Sequence, residues 1–443
     1  MVKVRNVVFV GLLAVSLALA AGGSALARSR AAAANQATEI GVTPTTIRIA
    51  VVADVDNAIV PGVLQGVVDG MNGFGKYVNA NGGLAGRKVQ VDFIDSKLSP
   101  TAARDAVIQA CQQDFALVGT AAIFLTNATD ETSCVDQAGK ATGLPDLGSL
   151  DTNIPQACSP VSFPITPAAI DCSTVDKTPQ TYRGMQGDSK YLLKTFGNLH
   201  GAFVVAGDTP STARTSKLLG IIANNAGIKS DQNAVVGGRD PQSVYTPIIQ
   251  GMKNANSNYS LAAQAVNGVV AMRQEAQLQG LTDPKIIWQC TLACYQAPVF
   301  TSAGSAVDRE YMSMSFLPFD EVKANKMTAD FVKYTGKDKL SGFASWGFTA
   351  GILFQQAVEA VVAKNGNNGL TRANLLTALK GITAFNAGGM VGTVNIGGRV
   401  PSSCFMLEQY KGGKFIRVYP TTKGTFDCNK SNAVTFQVDL LGQ

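Results

Sequence analysis

The nineteen residues YVNANGGLAGRKVQVDFID, at positions 77–95, constrain this chain more than any other stretch. They begin in the last turn of an amphipathic helix and end in a strand. Asn-Ala-Asn-Gly-Gly closes the helix, with Gly82 and Gly83 free to take the left-handed backbone of a C-cap. Gly86-Arg87 turns the chain, and Val89, Val91 and Phe93 then alternate with Lys88, Gln90 and Asp92. An apolar strand, IRIAVVAD, lies at 47–54, and a proline-opened helix, SPTAARDAVIQAC, at 99–111. Strand, helix, strand and helix in this order are the start of a parallel sheet covered on both faces.

The rhythm continues. Positions 115–119 read as a strand, a helix is expected around 127–140, and a short strand at 144–148. The segment 151–183 breaks the pattern with Pro, Ser, Thr, Asp and two cysteines, and reads as a disulfide-pinned insertion. A second series follows: helix 189–199, strand 201–206, helix 211–226, a strand near 234–237, helix 243–255, a strand edge and helix over 264–279, and strand 285–288. Helices are expected at 321–334, 348–364 and 371–379, then a hairpin of 403–410 and 414–419 over Lys411-Gly412-Gly413. With 443 residues, two domains are the natural prior.

Lys3 and Arg5, an apolar run over 7–21 and Ala25-Leu26-Ala27 have the layout of a secretory signal over 1–27. The Ala-rich 28–45 reads as a disordered leader. No cysteine follows the apolar run, so a lipoprotein anchor is not expected. Eight cysteines fit an oxidising, exported destination. Sequence leaves their connectivity open; neighbour pairing, Cys111–Cys134, Cys158–Cys172, Cys290–Cys294 and Cys404–Cys428, is one arrangement. Cys290 and Cys294 are wrongly spaced for a zinc site and have no second pair nearby. The net charge of +6 is small and dispersed, which argues against nucleic acid.

The segment 77–95 closely resembles the first lobe of the type I periplasmic binding proteins, the branched-chain amino acid-binding family. GTVNIGGRV at 392–400 and TADFVKYTGKDK at 328–339, followed by GFASWGFTAGILFQQAV, resemble that family's closing segments, with Trp346 where a Tyr often stands. The order of elements matches over nearly all of 46–438. The resemblance implies two Rossmann-like α/β lobes with parallel sheets joined by a three-stranded hinge. It divides the chain into lobe one at 46–183, lobe two at 184–312, a return to lobe one at 313–388, and a C-terminal part of lobe two at 389–443. It implies an exported receptor, in a periplasm or cell envelope, that passes a small solute to an ABC permease. It implies a monomer, no cofactor and no catalysis. A bridge in the area of Cys111 and Cys134 is also common in the family.

Ligands of open α/β sheets gather beyond the carboxyl ends of the strands. The candidate residues are therefore Asp54 and Asn57 after the first strand; Thr120, Ala121, Ala122, Ile123 and Phe124 after the third; Ser149; Tyr182 at the hinge; Asp208 and Thr209; Tyr295; and Phe316 at the second crossing. In relatives that bind amino acids, a Ser-rich loop opening a helix holds the carboxylate, and an acidic side chain of lobe two meets the ammonium. Here the first loop is Gly-Thr-Ala-Ala-Ile-Phe, and QCTLACYQA at 289–297 has no carboxylate. With Phe124, Tyr182, Tyr295, Phe316 and Trp346, these departures favour an apolar or aromatic carboxylate over an α-amino acid.

Other classes find little support. His200 is the sole histidine and is expected to cap a helix end. No G-x-S-x-G elbow stands in the mature chain, and there is no P-loop or G-x-G-x-x-G. Asp54-Val55-Asp56-Asn57 begins like a calcium loop but lacks its glycine and terminal glutamate. A sensory ectodomain of the same fold is the alternative, and a secreted α/β hydrolase the weaker one.

Overall fold

The parallel βα rhythm is realised as two sheets in the computed structural model, which describes residues 34–441 apart from Ile59. The expected signal segment lies outside the described residues. In chain order the elements of the first half are β1 Thr46–Ala53, α1 Gln65–Ala80, β2 Lys88–Asp95, α2 Pro100–Gln113, β3 Ala116–Val118, α3 Thr129–Thr132, β4 Asp146–Leu147, α4 Ile154–Ala157, β5 Gln180–Met185 and α5 Gly187–Phe196. Then come β6 His200–Ala206, α6 Pro210–Ala226, β7 Lys229–Val236, α7 Thr246–Ala255, β8 Tyr259–Ala263, α8 Val266–Leu278, β9 Ile287–Cys290, α9 Ala297–Ala303 and β10 Glu310–Met314. The chain closes with α10 Lys326–Thr335, α11 Gly342–Asn365, α12 Arg372–Gly381, β11 Met406–Lys411, β12 Lys414–Tyr419 and β13 Ala433–Val438.

The first lobe is built on a parallel sheet of order β2-β1-β3-β4. β1 is apolar on both faces because both are covered. Ile47, Ile49 and Val51 face α1 and α11, while Ala50 and Val52 face α2. The second lobe has the order β12-β11-β10-β9-β8-β6-β7. Its strands β7, β6, β8, β9 and β10 are parallel, and the β11–β12 hairpin adds antiparallel strands at one edge. The chain passes between the lobes through the segment before β5, after β10, and before β11. The latter two passages run side by side: Phe316 bridges Val391, and Leu317 N–H donates to Met390 C=O at 2.9 Å. β5 pairs antiparallel with β13, a strand the sequence reading did not anticipate.

The segment that opened the sequence analysis folds as its residues dictate. Gly82, Gly83 and Gly86 have φ of +98°, +77° and +71°, and Gly83 N–H caps α1 at Val78 C=O. Arg87 is buried, and its guanidinium donates to the carbonyls of Thr43, Ala85, Asn367 and Gln36. The part of the expected disordered leader from Asn35 onward is therefore held against lobe one, because a buried cation needs those carbonyls. Thr38 adds a bond to Leu370 C=O at 2.6 Å.

Helices α1 and α11 cross closely. A Cβ at Gly70 would stand 2.0 Å from Ala344 C=O, and one at Gly347 would stand 2.2 Å from Val67 C=O. All eight cysteines pair with their sequence neighbours in the arrangement considered above. The helix expected around 127–140 is reduced to the single turn α3. Beyond it the Asp136 carboxylate accepts from Ala138 N–H, Lys140 N–H and Thr142 hydroxyl, a local network that replaces helical bonds. His200 starts β6 rather than ending a helix, and its Nδ1 lies 2.7 Å from Asp231. Among the described residues no helix is long and apolar enough to cross a membrane.

Candidate functional site

The carboxyl ends of the parallel strands of both sheets open on one cavity of about 800 Å³. In each sheet the strand order reverses beside its first strand, β1 or β6, which is where such folds leave a crevice. Lobe one contributes Leu64, Leu98, Ile123, Leu150, Phe343 and Trp346; lobe two contributes Leu218, Ile222, Gln264, Gln289 and Leu292. The walls are mainly apolar. Sites for drug-sized ligands span roughly 300–1,000 Å³, so the cavity has room for more than a small amino acid.

Asp54 builds the lobe-one wall. It is fully buried at the end of β1, and its carboxylate accepts from Ser96 hydroxyl at 2.6 Å, Leu98 N–H at 2.7 Å and Ile123 N–H at 2.7 Å. Burial raises its pKa, and these three bonds oppose the shift. Asp54 thus joins the loops after β1, β2 and β3 and sets the backbone from which Leu98 and Ile123 project. It does not line the cavity.

The expected anion loop is committed internally. The Ile123 N–H belongs to Asp54, and the Thr120 hydroxyl donates to the buried Asp146 at 2.6 Å. The helix that follows the loop, α3, has only four residues, too short for its dipole to hold an anion there. Ala121, Ala122 and Ser149 are buried, and Phe124 is half-buried; none of them lines the cavity. Asn57 accepts from Val60 N–H at 2.7 Å and shapes its own loop.

Of the remaining candidates, Tyr182, Asp208 and Thr209 line the cavity together with Ile123. Thr209 is also the N-cap of α6, accepting from Thr212 N–H. Asp208 accepts from Gly238 N–H at 2.7 Å. Tyr295 and Phe316 are core residues. Tyr295 stacks among Phe316, Phe319 and Phe415, and its hydroxyl is bonded by Phe319 N–H. Position after a strand suggested the cleft for Tyr295, but the aromatic cluster behind β9 draws it inward. Trp346 faces the cavity, with its ring N–H donating to Ser315 hydroxyl at 3.3 Å.

Sequence reasoning missed the charges at the wall. Arg183, on β5, and Arg214, in the second turn of α6, both line the cavity, and among the described residues neither forms an ion pair. Arg214 donates to Thr152 C=O at 2.9 Å, and burial lowers its pKa. The Arg183 Nε–H and the Tyr182 hydroxyl are buried and meet no hydrogen-bond partner among the described residues. The acidic residues at the wall differ. Burial raises the pKa of Asp151 well above the carboxylate range, aided by Asp146, and burial also raises that of Asp188. Asp188 is already bonded by Ser189 N–H and the Gln289 amide. A cavity in which burial pushes Asp151 and Asp188 toward the neutral form, and whose two arginines form no ion pair among the described residues, favours an anionic ligand. A basic residue far from any motif leaves no sequence signal for this role. A hint was available only in the placement of Arg214 four residues after the Asp-Thr-Pro that opens α6.

Among the described residues no group of three metal-binding side chains occurs, and the sole histidine does not line the cavity. Two α/β lobes with a cleft at their strand ends are the architecture of the type I binding-protein class. The family described as periplasmic binding protein matches residues 27–414, and the chain belongs to it. Solved structures agree in fold. A fatty acid ABC transporter substrate-binding protein from Thermomonospora curvata aligns with a TM-score of 0.62 at 16% identity, covering 87% of this chain and 97% of that one. A solute-binding ABC transporter protein from R. palustris in complex with benzoate gives 0.62 at 16%, covering 87% and 98%. A leucine-binding protein from Thermotoga maritima gives 0.60 at 13%, covering 84% and 97%. No curated protein matches in sequence.

Proposed function

We propose that the chain is the exported receptor of an ABC importer and that it captures a small, largely apolar organic acid between its lobes. The observation that carries this reading is the cavity: about 800 Å³, mainly apolar, with two arginines at its wall that form no ion pair among the described residues. An α-amino acid fits less well. Its ammonium would meet Asp188, whose oxygens are already bonded, Asp208, which holds Gly238, or Asp151, which burial pushes toward the neutral form. Capture would work by hinge closure at the three inter-lobe passages, which excludes water from the ligand. Fatty acid- and benzoate-binding neighbours support the reading only as shared fold. The closed lobes would then present a surface to a membrane permease, and no catalytic step is involved.

A melting-shift panel tests the reading. Octanoate and benzoate at 100 times their dissociation constants should stabilise the protein by about 2.7 kcal/mol, while leucine and valine leave the midpoint unchanged. Shifts from leucine or valine with none from the acids would overturn it.

A further inference from the structure

We propose that the guanidinium of Arg214 and the phenol of Tyr182 anchor the anionic head of the solute, with its apolar tail against Leu218 and Ile222. The proposal rests on the receptor reading above and assigns the head group to α6 and β5 rather than to the loop after β3. That loop has nothing left to offer at two of its donors, since the Ile123 N–H and Thr120 hydroxyl serve buried aspartates. Tyr182, by contrast, is 2% exposed, lines the cavity and has a hydroxyl without a partner. A buried hydroxyl on the cavity wall that no protein group engages is available to a ligand's polar head.

Arg214 supplies the charge. A guanidinium carries five N–H donors, and one hydrogen bond, to Thr152 C=O, occupies this one. Arg214 and Tyr182 are near enough that each influences the other's proton affinity. Asp439 also acts on Tyr182. A carboxylate seated here would accept charge-assisted bonds from Arg214 and a bond from Tyr182. Leu218 and Ile222 follow Arg214 at one and two helical turns and pack beside Tyr182, so an apolar chain leaving the head group meets them next. Because Thr152 follows β4 in lobe one and Arg214 lies in lobe two, the head group would sit where the lobes already touch. The chemical class is an apolar monocarboxylate; an α-ammonium beside Arg214 would be repelled.

Calorimetric titration of the full chain with octanoate, benzoate and their amides tests the assignment. Wild type should prefer each acid over its amide by at least about tenfold. Arg214→Met should bring that ratio near one while leaving amide affinity within about threefold, because the methionine keeps the apolar stem and loses the guanidinium, with its charge and its bond to Thr152 C=O. Tyr182→Phe removes a single hydroxyl, and should lower the ratio several-fold; it serves if Arg214→Met does not fold. The proposal is overturned if both variants keep the acid preference, or if Arg183→Met alone abolishes it. Equal binding of acid and amide by wild type also overturns it, while leaving the apolar-solute receptor standing. If wild type binds none of the four, the receptor reading falls as well.

Discussion

At the scale of single residues, this protein spends its buried charges on architecture. Arg87 and Arg372 are both buried, and each gathers backbone carbonyls from distant segments. Arg372 donates to Phe115, Val135, Cys111 and Asp114, which locks the Cys111–Cys134 bridge against α12. The carboxylates are less well provided. Glu310 and Glu408 are almost fully buried; no hydrogen bond reaches either Glu310 oxygen or Glu408 Oε2. Burial pushes their pKa values up to about 7 and about 8, against the ordinary 4.5. The folded state therefore holds protons that the unfolded chain has released. Their stabilising contribution is full below about pH 4.5 and is lost as pH rises through 7 and 8. The thermal midpoint should fall between pH 5.5 and pH 8.5, and Glu408→Gln should reduce that fall, by on the order of 2 kcal/mol at pH 8.5. An equal fall in the variant would contradict the assignment. Individual roles were the least legible level of the sequence. Asp54 was expected to face a ligand, yet three donors from three loops claim it. Nothing in its local sequence announces those partners, because all three lie more than forty residues away.

At the scale of elements, glycines set how closely lobe one is packed. α1 and α11 approach until Gly70 meets Ala344 C=O and Gly347 meets Val67 C=O. Gly70→Val should force the helices apart and destabilise by roughly 1–3 kcal/mol or more. Chemical denaturation would read the change, and an unaltered midpoint would refute the packing account. Elements with an uninterrupted period were legible: β1, α1, β2, α2, α6 and the β11–β12 hairpin lie where apolar spacing, Pro openings and Gly stops put them. Elements whose existence depends on remote partners were not. β13 is a strand because β5 pairs with it. The stretch 133–143 is irregular because Asp136 folds it locally and Cys134 ties it to Cys111. The cleft loops belong to this second kind. Their place follows from the topology, but which donors remain for a ligand depends on hydrogen bonds made across the fold.

At the scale of the whole molecule, two sheets turn their carboxyl ends to one cavity. The lobes already touch at the cavity edge, through Arg214 and Thr152 and where Gly238 lies against Val60. Closure would bury apolar wall from both sides of the solute. Burial of apolar surface leaves a negative heat-capacity change as its mark. The most direct test is calorimetric titration of octanoate or benzoate at two temperatures, with the solute recovered afterwards. The account predicts one site per chain, a negative heat-capacity change and solute recovered unchanged. Binding of leucine in place of the acids, or conversion of the solute, would contradict it.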